Sequence, residues 1–225
     1  MYKNIVFVLI MATCHLAIAQ DNSTKSNRKI ERENIECCDI WVPSAPNDDK
    51  PRVLLIGDSI LKGYYEATTT HLKGQAYCAR LATSYCVADP AFMDQLETML
   101  TQYEYSVIHF NNGLHGIGYT EEEYEKGFDK ALKLIKKKSE AKVVLVLSTP
   151  LLSTSDKDYL NARIDERNNI VSRLAKKYGA SINDLHSISK GISEYYKDPY
   201  HFKKEAITIQ GKQVADIIEE LIRVK

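Results

Sequence analysis

Apolar and polar positions along the chain form short continuous apolar runs that alternate with longer stretches of helical spacing. Residues 52–56 (RVLLI) make an uninterrupted apolar run ending at Gly57, the pattern of a strand buried on both faces. Further strands are predicted over 75–81, 106–110 (SVIHF) and 142–147 (KVVLVL), with a short fifth one over 180–185. Between them, Phe92, Leu96, Met99 and Leu100 recur at helical spacing within 91–103. Thr120, with Glu123 three places on, predicts a capped helix that is acidic at its start and lysine-rich at its end. A helix over 157–178 stops at Gly179, and a last one runs over about 203–224.

Strands alternating with helices predict one α/β domain over 51–225, with a central parallel sheet of about five strands covered on both faces. Ligands bind such sheets beyond the carboxyl ends of the strands. Three polar pairs fall there: Asp58-Ser59, Asn111-Asn112 and Ser148-Thr149. No repeat or coiled coil competes with this reading.

The first residues change the picture. Lys3 precedes an apolar run that ends in Ala17-Ile18-Ala19, the form of an export signal over 1–19 that is cleaved after Ala19. The protein is therefore expected in a periplasm or outside the cell. A lipid anchor at Cys14 is the alternative, and Thr13 just before it fits that poorly. The run is short and interrupted, which disfavours a retained membrane span. Residues 20–50 read as a polar arm and lead-in: 21–35 as a tether, and 36–51 as a segment with three prolines and Trp41, which is expected to pack on the domain edge.

With 225 residues the chain can bury one full core, and 30 basic against 30 acidic residues leave no net field to favour nucleic acid or anionic lipid. Without the leader, Cys37, Cys38, Cys78 and Cys86 remain. Export makes bridges from the adjacent pair toward Cys78 or Cys86 an expectation, with three pairings open. Buried free thiols are the alternative. Their spacing matches no zinc pattern, so no metal site is expected.

Two motifs carry candidate chemistry. Gly57 to Ile60 (GDSI) follows the first strand directly, so Ser59 is placed at the start of the next helix, where backbone N–H groups can stabilise an oxyanion. A hydroxyl needs a neighbouring base to become a nucleophile. Asp198 to Phe202 (DPYHF) offers one: His201 as the base, with Asp198 three places earlier to orient the ring. Either motif alone is open to a plain reading, Ser59 and Asp198 as helix caps and His201 as a surface residue. Together they favour catalysis.

On these residues the sequence resembles the GDSL/SGNH hydrolase family over about 52–221, and most of all its secreted carbohydrate-esterase-like branch. The resemblance implies a flavodoxin-like three-layer sandwich, Ser59 as nucleophile, Asp198 and His201 as its partners, and hydrolysis of esters, thioesters or acetylated sugars without metal or organic cofactor. The family's oxyanion blocks match less closely. Its glycine after the second strand falls on Gly74 or on the loop at 82–84. Its glycine-x-asparagine-aspartate block meets Gly113, with His115 and Gly116 in the last two places. Either His115, by register, or Asn112 takes the asparagine's part as donor.

The function expected is removal of short acyl groups, acetyl above all, from a glycan or another small ester. A lipase or thioesterase with the same serine, and a glycan-binding relative without turnover, are the rivals. A flavodoxin-like phosphate binder is disfavoured, since no Gly-rich loop follows 52–56. His109 is expected to be packed within its strand, and His71 and His186 to be packing or surface residues. Arg163, Arg167 and Asn168 are read as structural, with substrate contact as the alternative, and Thr149 and Pro150 as cleft lining. Oligomeric state is not legible.

Overall fold

Five apolar strands pair side by side in the structure, a computed structural model that describes residues 30–153 and 157–223. They are β2 (Arg52–Gly57), β3 (Tyr77–Thr83), β4 (Val107–Phe110), β5 (Lys142–Val146) and β6 (Ser181–Asn183), all mutually parallel. The sheet nevertheless has six strands and is mixed. β1 (Cys38–Trp41), from the stretch expected to be only a lead-in, adds antiparallel to β3 and gives the order β1-β3-β2-β4-β5-β6. Its sequence hides it: β1 is a four-residue edge strand in which Asp39 interrupts the apolar residues, and those are left exposed. Trp41 lies on that edge and is exposed.

Side chains of the parallel strands alternate between two apolar layers, as the two-residue period of a strand requires. Leu54, Ile56, Ile108, Phe110 and Leu145 face α2 (Pro90–Gln102), α3 (Glu121–Lys138) and α4 (Asp158–Tyr178). Val53, Leu55, Val107, Val144 and Val146 face α1 (Ser59–His71), α5 (Leu185–Lys190) and α6 (Lys204–Arg223). The result is a three-layer α/β sandwich. Local signals set the helix ends: Thr120 and Glu123 close a capping box on α3, and Gly179 ends α4 with φ of 67°. α5 is only six residues long, too short for helical periodicity to stand out in sequence.

The chain leaves β2 for β3 on one side and then returns to place β4 on the other. The sheet's switch point is therefore the carboxyl end of β2, where an open cleft is expected. Asp58 and Ser59 occupy it.

Among the described residues the four cysteines form no bridge to one another. Cys38 lies opposite Thr83, five residues up β3 from Cys78, a separation of about 16 Å along a strand, whereas a disulfide needs Cα atoms within about 7 Å. Cys78 and Cys86 are in turn buried in opposite layers, with the sheet between them. Burial pushes the Cys78 thiol up to about 12. The expected leader, with Cys14, lies outside the described residues.

Candidate active site

Ser59 is the first residue of α1, because Asp58 ahead of it caps the helix by accepting from the Ile60 N–H at 2.8 Å. The cap turns the backbone sharply off β2 and leaves Ser59 exposed while its neighbours on both sides are buried. Ser59 Oγ lies 2.9 Å from His201 Nε2. On the other side of the ring, His201 Nδ1 lies 3.0 Å from each oxygen of Asp198. Residues 142 apart in sequence thus form one continuous hydrogen-bonded relay.

The loop carrying this histidine is fastened on several sides. Asp198 Oδ1 accepts from the N–H groups of Tyr200 and His201, both at 2.9 Å, which fixes the carboxylate beneath the ring. Tyr196 and Phe202 bridge the loop's ends and pack with ring centroids 4.4 Å apart. Tyr196 donates its hydroxyl to Pro150 O at 2.5 Å, and Leu152 N–H donates to Pro199 O at 2.9 Å. Burial works against charge on Asp198, but the two backbone N–H groups and the imidazole outweigh it and hold its carboxyl below the usual carboxylate range. Asp198 is therefore ionised at neutral pH, accepts the proton on Nδ1, and leaves Nε2 with a lone pair for the serine proton.

Of the candidate oxyanion residues, Gly74 is not brought to the site. It sits in the turn between α1 and β3 with φ of 83°, at the amino end of the strand, whereas Ser59 lies at the carboxyl end. The other candidate loop, 82–84, is at the correct end, but the Ser84 N–H is taken by Cys37 O at 3.0 Å. Asn112 is buried and tied to that loop: its Oδ1 accepts from Val87 N–H at 3.0 Å and its Nδ2 donates to Tyr85 O at 2.9 Å. His115 lines the same cleft as Ser59 and His201. Burial alone would lower its pKa, but the hydrogen bond to Glu33 and the charges of Asp58, Glu33 and Glu36 overcome this and raise it.

The loop after β4 is shaped by close approach. Gly113 faces Ser148 so tightly that a Cβ would lie 2.0 Å from Ser148 Oγ, and that hydroxyl in turn accepts from Asn111 Nδ2 at 3.0 Å. Arg167 on α4, 1% exposed, gathers the loop's carbonyls: it donates to Gly113 O at 3.0 Å, His115 O at 2.7 Å and Gly116 O at 3.0 Å. Arg163 does the same for Ile117 and Tyr119 and pairs with Glu121. Both arginines thus hold the loop's backbone, and Asn168 brackets Ser148 N–H and O.

The cleft encloses about 460 Å³. Its far wall is apolar, from Leu114, Ile117, Leu151, Leu160 and Ile164. Thr149 is buried and does not line the cleft, and Pro150 lines a neighbouring groove instead. The near wall departs from the expectation of a tether: Glu31, Arg32 and Glu33 lie along the cleft. Nothing in their polar, aperiodic sequence distinguishes them.

Neither a protein-family model nor a curated protein matches the chain. Solved structures do. A GDSL-like lipase from Bacteroides thetaiotaomicron superposes with a TM-score of 0.61 at 15% identity, over 76% of this chain and 88% of its own. A member of the lipolytic G-D-S-L family from Veillonella parvula gives 0.61 at 15% identity, over 75% and 98%. A catalytic mutant of an acetylxylan esterase from Geobacillus stearothermophilus gives 0.59 at 11% identity, over 78% and 95%. At the level of fold alone, the chain shares its α/β sandwich with these lipolytic proteins and this esterase.

Proposed function

We propose that the protein is a serine esterase in which Ser59 attacks an ester carbonyl while His201 takes its proton and Asp198 holds the ring. One observation carries the reading: the 2.9 Å contact between Ser59 Oγ and His201 Nε2, backed by the paired 3.0 Å contacts of His201 with Asp198. Attack forms a tetrahedral adduct whose oxyanion meets the Ser59 N–H at the head of α1. His201 then gives its proton to the departing alcohol, and water, activated by the same ring, releases the acid from Ser59.

For the substrate we favour a short acyl group, acetyl first, on a carbohydrate, by an enzyme acting after export. An open cleft able to admit a glycan supports this, as does the shared fold of an acetylxylan esterase. The apolar far wall supports a second reading, a lipase- or thioesterase-type enzyme for longer acyl chains. Hydrolysis of acetylated saccharides set beside acetyl and octanoyl p-nitrophenyl esters separates the two. Ser59→Ala and His201→Ala are each expected to lower kcat by about 10⁴-fold or more. Intact turnover in both variants defeats the triad, and a preference for octanoyl defeats the acetyl assignment.

A further inference from the structure

The arm before β1 is built into the cleft. Arg32 pairs with the buried carboxylate of Asp89 and lies over the Tyr85 ring at 5.3 Å. Glu31 N–H donates to the Tyr119 hydroxyl at 3.1 Å, and Glu31 fills the space over Gly118 where a Cβ would meet it at 2.8 Å. Glu36 accepts from Glu33 N–H and from the Ser84 hydroxyl, both at 2.9 Å. Between these anchors Glu33 reaches into the loop after β4. One carboxylate oxygen lies 2.9 Å from His115 Nδ1 and the other accepts from Gly116 N–H at 2.9 Å.

We propose that Glu33 is a positioning residue of the active site, which fixes His115 so that its Nε2 edge faces the cleft as a cationic N–H donor to the oxyanion formed on Ser59. This rests on the esterase reading above. A carboxylate on Nδ1 requires the proton there, so a neutral His115 carries only a lone pair on Nε2 and cannot donate. The charged ring donates from both nitrogens. The cleft thus contains two histidine–carboxylate pairs with opposite tasks: His201 must be neutral to accept the serine proton, and His115 must be charged to stabilise the product of that step. Around His115 stand Glu33 and Glu36 from the arm, Asp58 at the head of α1, Arg167 from α4 on its carbonyl oxygen, and His201 across the cleft. Burial opposes the imidazolium, but the Glu33 hydrogen bond and the three carboxylates favour it, and the pKa is raised on balance. Glu33 is the one of the three in direct contact.

The test uses the full chain and p-nitrophenyl acetate. Glu33→Gln keeps the shape and removes the charge. It is expected to lower kcat about 10-fold, less than the 10²- to 10³-fold loss of a whole oxyanion donor, with KM near that of wild type. The alkaline limb of the kcat profile is expected to move to lower pH. In a His115→Ala background, Glu33→Gln is expected to add no further loss. Nitrogen-detected NMR titration of His115, which needs no turnover, is expected to place its midpoint lower in Glu33→Gln than in wild type. An unmoved limb and midpoint overturn the proposal, as does a loss of equal size in the His115→Ala background. If wild type is inactive and a fluorophosphonate leaves Ser59 unlabelled, the esterase reading itself fails. If wild type turns over, Ser59→Ala does not, and Glu33→Gln matches wild type, only the role of Glu33 fails.

Discussion

Replacing Arg167 by methionine removes a guanidinium that three loop carbonyls share and leaves a side chain of similar reach. Gly113 O, His115 O and Gly116 O then lose this donor in hydrogen bonds that are buried or part-buried. Each buried polar group left unpaired costs about 1–3 kcal/mol, so the gross loss is about 3–9 kcal/mol. Two terms reduce it. Burying a guanidinium carries its own desolvation cost of several kcal/mol, which the variant avoids. Glu121 also does not become an isolated charge, because Arg163 stays 2.6 Å from it. The loss of the Arg167 contact over the Tyr124 ring, at 4.8 Å, adds about 1 kcal/mol back. The expected net destabilisation is about 3–5 kcal/mol, a large part of the stability of an ordinary domain.

Equilibrium urea unfolding measures this as a fall in midpoint at constant m. Arg167→Lys serves as the second variant. Its ammonium is a point charge that cannot span three carbonyls in one plane, so an intermediate loss of about 1–3 kcal/mol is expected. Activity should fall further than stability alone dictates under conditions where both variants are folded, since His115 lies within the released loop. A methionine variant within about 1 kcal/mol of wild type would refute the reasoning, because water would then be satisfying those carbonyls and Arg167 would not be holding the loop.

Two further perturbations follow from the same geometry. His109 is fully buried beside Tyr64 with its Nε2 3.0 Å from Asn183 Nδ2, and burial pushes its pKa down to about 3. The unfolded chain, titrating near 6.5, binds this proton more readily, so the group's contribution to stability is complete above about pH 6.5 and is lost as pH falls toward 3. The loss is about 3 kcal/mol by pH 4.5, and urea midpoints at pH 7 and 4.5 should show His109→Gln losing less than wild type on acidification. Gly113→Ala drives a methyl into Ser148 Oγ and is expected to cost about 1–3 kcal/mol, read as a lower thermal midpoint, with Ser148→Ala in the same chain restoring part of it.

The sequence marks a buried strand by its apolar run and a helix end by its cap, and so the five parallel strands and the helices α2, α3, α4 and α6 were legible within a residue or two, whereas only the start of α1 was. β1 was not, because Cys38–Trp41 is only four residues long, is interrupted by Asp39, and lies at the sheet edge among prolines. The expectation of disulfides failed for a related reason. Residue types indicate that bridges are chemically possible, but only the register of β1 on β3 and the two-sidedness of the sheet reveal that Cys78 is out of reach of Cys38 and walled off from Cys86.

The same distinction runs through the site. The meeting of Ser59 with His201 was legible because the proposed nucleophile and base require particular side chains, and each occurs in a compact motif beside a turn. Oxyanion donors are mostly backbone N–H groups, which every residue but proline supplies, so a motif can mislead: Gly74 has the expected residue type in the wrong turn. What decides a donor is whether its hydrogen is already spoken for. Asn112 has the right chemistry, yet it is buried and tied to Val87 and Tyr85, while His115, the residue in register, remains at the cleft. Its partner Glu33 lies 82 residues away in an unpatterned segment. A contact of that kind leaves no trace in local sequence, because its selection acts on a pairing and not on a period. The arm's contact with the cleft therefore becomes visible only when the chain is folded, and the loop after β4 is held at once by Arg167 from α4 and by Glu33 from the arm.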